Sequence, residues 1–205
     1  MKAIDLTKYQ GIIPAFYACY DDAGEVSTER VRALTEYLIG KKVNGLYVGG
    51  SSGECIYQSV EERKAVLEAV IEQAAGRITV IAHVACNNTR DSMELAAHAE
   101  SVGADCIAAD HWNLLHDPGS VDAIAAIPPI YFHLPDRAVA KYWSDIASAA
   151  PNTDFIIYNI PQLAGTGLNS SLLRTMLSVP NVIGVKNSSM PIQDIEMWRD
   201  EGAIV

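Results

Sequence analysis

Apolar runs that start at residues 11, 44, 78 and 105, and again at 154 and 182, recur with a spacing of about 30 residues, and amphipathic stretches separate them. A strand and a helix fit one such interval, so the chain reads as a series of βα units on a parallel sheet. The runs Val43–Gly50, Ile78–Ala85, Cys106–Ala109, Asp154–Pro161 and Val182–Ser189 are nearly continuous in their apolar character, as strands covered on both faces are. Gly11–Tyr20 is a sixth candidate and opens the series. Helix signals lie between the runs: Ser27 as an N-cap, Ser59-Val-Glu-Glu62 as a capping box, Gly76 and Gly103 as stops, and Asn169 as a further cap. Counted this way the sequence supplies six βα units, where a closed (β/α)8 TIM barrel uses eight strands and about 250 residues.

The period fails once. The interval from 105 to 154 is too long by about half a unit, and Asp105-Cys-Ile-Ala-Ala109 returns as Asp122-Ala-Ile-Ala-Ala126. Residues 110–126 therefore read as an insertion that duplicates the fourth strand. The 205 residues, 49% of them hydrophobic, suffice for one sizeable core, so 1–205 is expected to be a single, incomplete barrel domain. A net charge of −10 argues against nucleic acid or an anionic membrane as a main partner. No apolar run reaches the length of a membrane span, and the first ten residues lack the apolar core of a signal peptide. Cys19, Cys55, Cys86 and Cys106 are widely separated and form no CxxC pair, which fits reduced thiols and the cytoplasm.

Four stretches carry candidate chemistry. Lys186 ends the apolar run Val182–Val185. In a parallel α/β barrel the C-terminal ends of strands line the reactive mouth, and a lysine withdrawn from water there is a nucleophile toward a carbonyl. A lysine snorkelling from the strand end into water accounts for the same pattern. Gly49-Gly-Ser-Ser-Gly-Glu54 follows a strand, and its glycines and the hydroxyls of Ser51 and Ser52 can form a nest for a carboxylate or phosphate, or simply a βα loop. Tyr131, in Pro128-Pro-Ile-Tyr131, can relay a proton at a strand end or pack as a core tyrosine. Tyr158, inside its run, reads as core or as support standing behind the site. His111 and His116, flanked by Asp110 and Asp117, fit no strong zinc spacing, so no metal and no cofactor is expected.

Taken together, GGSSGE at 49–54, IPPIYF at 127–132, YNIP at 158–161 and GVKNSS at 184–189 resemble the N-acetylneuraminate lyase and dihydrodipicolinate synthase family, pyruvate-handling class I aldolases built on a TIM barrel. The resemblance covers about residues 8–109 and 124–202, and the two ends of the chain look more like the lyases than the synthases. It implies that Lys186 is the Schiff-base lysine, Tyr131 the proton shuttle, Ser51 and Ser52 the binders of the substrate carboxylate, and Ser188 a hydroxyl beside the substrate. It further implies cleavage of N-acetylneuraminate (sialic acid) to N-acetylmannosamine and pyruvate, no cofactor, and a homotetramer. The runner-up activities are another pyruvate-dependent aldolase, such as 4-hydroxy-tetrahydrodipicolinate synthase, and a catalytically impaired barrel remnant. The family's seventh and eighth strands lie beyond the sequence, so Lys186 is expected to have latent chemistry with weak turnover.

Overall fold

The computed structural model describes residues 6–110 and 134–205. The insertion beyond Asp110, the IPPIYF stretch with Tyr131, and His111, His116 and His133 lie outside the described residues. Two compact units divide the chain: residues 1–84 with 97–107, and residues 85–96 with 108–205.

In the first unit, β1 (Gly45–Val48) pairs in parallel with β2 (Thr79–His83), in the register Gly45↔Thr79 to Val48↔Ala82. Every residue of both strands is buried, as their unbroken apolar runs imply. Helix α1 (Thr28–Gly40) packs on α2 (Val60–Ala74). Ser27 caps α1 by accepting from the Arg30 N–H, and the capping box of α2 is complete, with Ser59 and Glu62 each taking the other's backbone N–H. Those bonds to Ser59 hold the Glu62 carboxyl below its ordinary pKa. After α2, Ala75 and Gly76 both take left-handed backbone, which ends the helix.

The segment Gly11–Tyr20 differs from expectation: it forms no strand. It pairs with β1 at an isolated parallel bridge, Ala15↔Tyr47. Three bonds of a ladder are present, from the Asn44 N–H to Ile12 O, from the Tyr47 N–H to Pro14 O, and from the Phe16 N–H to Tyr47 O. The ladder fails for two local reasons. Pro14 has no N–H to give. The Ile12 N–H is diverted to the side chain of Asn44, at 2.8 Å from Oδ1.

Helix α3 (Thr89–Ser101) and strand β3 (Cys106–Asp110) each run across the boundary between the units. In the second unit, β4 (Asp154–Asn159) pairs in parallel with β5 (Val182–Asn187). Helix α4 (Asp136–Ala149) packs on α6 (Ser170–Leu177), which also covers β5 and meets α7 (Gln193–Asp200). The short α5 (Pro161–Ala164) follows β4. Asn169 caps α6 by accepting from the Leu172 N–H. Val139, Trp143, Ile146, Phe155, Leu173 and Trp198 make the core of this unit. Beyond α7 the chain returns to β5 at the bridge Gly184↔Ile204, where a Cβ on Gly184 would overlap the Ile204 carbonyl.

The candidate active site

Both β4 and β5 end in a polar pair, Tyr158-Asn159 and Lys186-Asn187. Their register sets Tyr158 opposite Lys186 and Asn159 opposite Asn187. The ladder begins with an irregularity: Phe155 pairs with Val182 and Ile156 with Gly184, so β5 carries one extra residue there. That extra residue decides which side chains meet at the other end. Lys186 Nζ lies 3.3 Å from the centroid of the Tyr158 ring and 3.4 Å from Ser188 Oγ. Ser188 Oγ in turn stands 3.5 Å from the Tyr158 hydroxyl. Side chains two apart on a strand share a face, which is why Lys186 and Ser188 reach the same tyrosine. The result is an amine half-buried at a strand end, resting on an aromatic face, with two hydroxyls in line beside it. It can serve as a carbonyl nucleophile with a short path for protons.

The structure brings Lys186 and Ser188 together and sets Tyr158 against them, where the sequence reading left it as core or as support behind the site. Tyr158 is buried, but its neighbour is the lysine amine. The available signal was the shared ending of the two runs: aligning Asn159 with Asn187 sets Tyr158 against Lys186. Tyr131 lies outside the described residues.

Ser51 and Ser52 belong to the first unit. They open a single 3-10 turn, Ser51–Gly53, held by bonds from the Gly53 N–H to Gly50 O and from the Glu54 N–H to Ser51 O. Ser51 is exposed and Ser52 half-buried. The turn is fixed from below. Gly49 takes left-handed backbone, and its carbonyl accepts from His83 Nδ1 at 2.8 Å and lies 3.5 Å from Arg63 Nη2. Arg63 Nη2 also donates to the His83 carbonyl at 2.8 Å, so one buried guanidinium ties the loop after β1 to the end of β2. A Cβ on Gly50 would meet the Tyr47 ring at 2.7 Å, which explains glycine at that position. Glu54 closes the turn with its own residue in left-handed backbone and accepts from the Tyr20 hydroxyl at 3.1 Å. Burial, with the Glu54 carboxylate adding to it, raises the Tyr20 pKa. Arg63 went unnoticed because a helix arginine carries no local mark of burial, and His83, although inside a run read as covered on both faces, has a backbone carbonyl as its partner.

The sequence profile of the Dihydrodipicolinate synthetase family matches residues 8–202. The chain belongs to this family. An N-acetylneuraminate lyase of Mediterraneibacter gnavus is 62% identical over 195 residues, which cover 95% of this chain and 56% of that protein. The wild-type sialic acid aldolase of Ruminococcus gnavus is 59% identical in its solved structure, with a TM-score of 0.85 over 96% of this chain and 60% of that one. A structure of the same aldolase described as a catalytic lysine mutant gives a TM-score of 0.87 at 58% identity, over 98% of this chain and 60% of that one. The family's α/β fold of TIM-barrel type is therefore the fold of this chain, which spans less than two thirds of the length of these relatives. Among the described residues, no helix is long and apolar enough to cross a membrane.

Proposed function

We propose that this family member is a Schiff-base aldolase that cleaves N-acetylneuraminate to N-acetylmannosamine and pyruvate, with Lys186 as the nucleophile. The observation that carries the reading is the Lys186 amine seated on Tyr158 and beside Ser188 at the end of β5. The 62% identity to an N-acetylneuraminate lyase, and a solved relative named for its catalytic lysine, support it.

The chemistry follows from the groups present. The neutral amine of Lys186 attacks the keto carbon of the open-chain sugar acid, and loss of water leaves an iminium. The iminium draws the electrons of the C3–C4 bond as a base removes the proton from the C4 hydroxyl. N-acetylmannosamine leaves, the enamine takes a proton at C3, and water releases pyruvate and the free amine. The resemblance gives the proton relay to Tyr131. Tyr158 is a second candidate, because the Ser188 hydroxyl stands between the Lys186 amine and its phenol. Ser51 and Ser52, at the head of the turn after β1, are proposed to hold the pyruvoyl carboxylate. Ser188 is proposed to hydrogen-bond the substrate beside the imine.

On the same reading, residues 1–205 are part of one barrel domain into which 110–126 is inserted, the assembly is a homotetramer, and no metal or cofactor takes part. Four cysteines without disulfides support a reducing, cytoplasmic setting. A coupled assay for pyruvate release from N-acetylneuraminate tests the activity. Pyruvate release that depends on Lys186 is expected; release undiminished in Lys186→Met would refute it.

A further inference from the structure

Strand alternation turns Tyr158 and Lys186 to one face of the β4–β5 pair, and Asn159 and Asn187 to the other. Asn159 is only 4% exposed, and both ends of its amide are bonded. Its Nδ2 donates to Asn187 Oδ1 at 3.2 Å, and its Oδ1 accepts from the Leu168 N–H at 3.0 Å. Asn187 Oδ1 also accepts from the Ser189 N–H at 2.9 Å. The backbone closes the same junction, since the Ser188 N–H donates to the Asn159 carbonyl at 2.8 Å. Three segments meet at this one amide: the end of β4, the end of β5 with the serines after it, and the turn leading into α6.

The junction matters because the register of this strand pair is irregular at its beginning, between Phe155 and Ile156. A slip of one residue in a strand reverses the face of every side chain that follows. Such a slip would carry Lys186 away from Tyr158 and Ser188. The Asn159–Asn187 pair opposes it, since a buried amide cannot leave a half-buried partner without its donor and acceptor going unmet. We propose that Asn159 is a positioning residue for the Lys186 amine, acting through Asn187 to hold the lysine over Tyr158. Its catalytic consequence rests on the reading of Lys186 as the imine-forming residue; its geometric consequence does not.

The experiment is competitive acetylation of the whole protein with acetic anhydride across a range of pH. Peptide mass spectrometry reads Lys186 against Lys141, which is an exposed lysine. In Asn159→Ala, the Lys186 labelling rate relative to Lys141 should change by about tenfold or more, and its pH midpoint should move, as expected when a group loses a fixed position. Asn159→Asp keeps the acceptor for Leu168 and can still take a bond from a turned Asn187 amide, so it should return toward wild type. Asn187→Ala removes the same pair from a less buried position and should reproduce the change if Asn159→Ala does not fold. Lys186 profiles that superimpose on wild type in the folded variants, with only the melting temperature lowered, would overturn the proposal. Pyruvate trapping by borohydride, run in parallel on wild type, reports separately on the imine reading, and labelling decides the role of Asn159 whichever way trapping turns out.

Discussion

Two strand ends in this molecule are built on different principles. At the end of β5, side chains from adjacent strands assemble the candidate chemistry, and their meeting depends on register: Tyr158 reaches Lys186 only because Phe155 pairs with Val182 and Ile156 with Gly184. At the end of β1 the backbone does the work. A 3-10 turn presents Ser51 and Ser52, and buried Arg63 and His83 grip its Gly49 carbonyl. The first arrangement is sensitive to any change that shifts a strand. The second is sensitive to changes in a short contiguous stretch. A positioned nucleophile needs the rigidity of a sheet, whereas an anion cradle needs only amides and hydroxyls at the head of a turn.

The largest effect that separates the two ends should come from Tyr158→Phe. A positioned acid–base group contributes about 10²–10⁴-fold, so carbon–carbon cleavage should fall by that factor while pyruvate still forms an imine. Single-turnover cleavage compared with imine formation measures it. If Tyr131→Phe shows that loss and Tyr158→Phe does not, the relay belongs to Tyr131.

A smaller effect is expected at the other end. Ser51→Ala combined with Ser52→Ala should weaken pyruvate binding, since charge-assisted hydrogen bonds contribute about 1.5–3 kcal/mol each. Titration calorimetry should therefore show a rise in Kd of about tenfold or more. The maximum rate of imine formation at saturating pyruvate should change little. A fall in that rate without a change in Kd would reverse the roles assigned to the two ends.

The smallest effect lies away from both, and it serves as a control for global stability. Glu36 accepts from Arg77 at 2.6 and 3.0 Å and from Gln73 at 2.7 Å, and these bonds lower its pKa from 4.5 to about 2. Because the folded-state value is depressed, the contribution is complete above pH 4.5 and disappears as the pH falls toward 2. Both partners are exposed and screened by water, so the effect is slight. Glu36→Gln should be slightly less stable than wild type at pH 7 in denaturant titrations, with the two converging near pH 2. It should leave Lys186 chemistry unchanged at pH 7.

The same contrast governs what could be read from the sequence. The βα period was legible because each strand is an apolar run bounded by helix signals, and the caps at Ser27, Ser59 and Asn169 all stand where local chemistry put them. The GGSSGE turn was legible as a turn for the same reason. Gly11–Tyr20 was misread because its apolar content suits a strand while Pro14 and the Asn44 side chain take away the ladder that would make it one. The contact of Tyr158 with Lys186 was legible only by aligning the two Asn endings, since the run starts mislead: one extra residue there shifts the register. The burial of Arg63 was hidden for a related reason: its partners are carbonyls of Gly49 and His83, which no side-chain pattern announces.

The central claim is that the amine at the end of β5 is the nucleophile. Incubation with pyruvate and borohydride, followed by intact mass and peptide mapping, tests it most directly. One adduct per chain, on the peptide that contains Lys186, is the predicted result, and it should vanish in Lys186→Met. An adduct confined to Lys141 or other surface lysines, or one that persists undiminished in Lys186→Met, would contradict it.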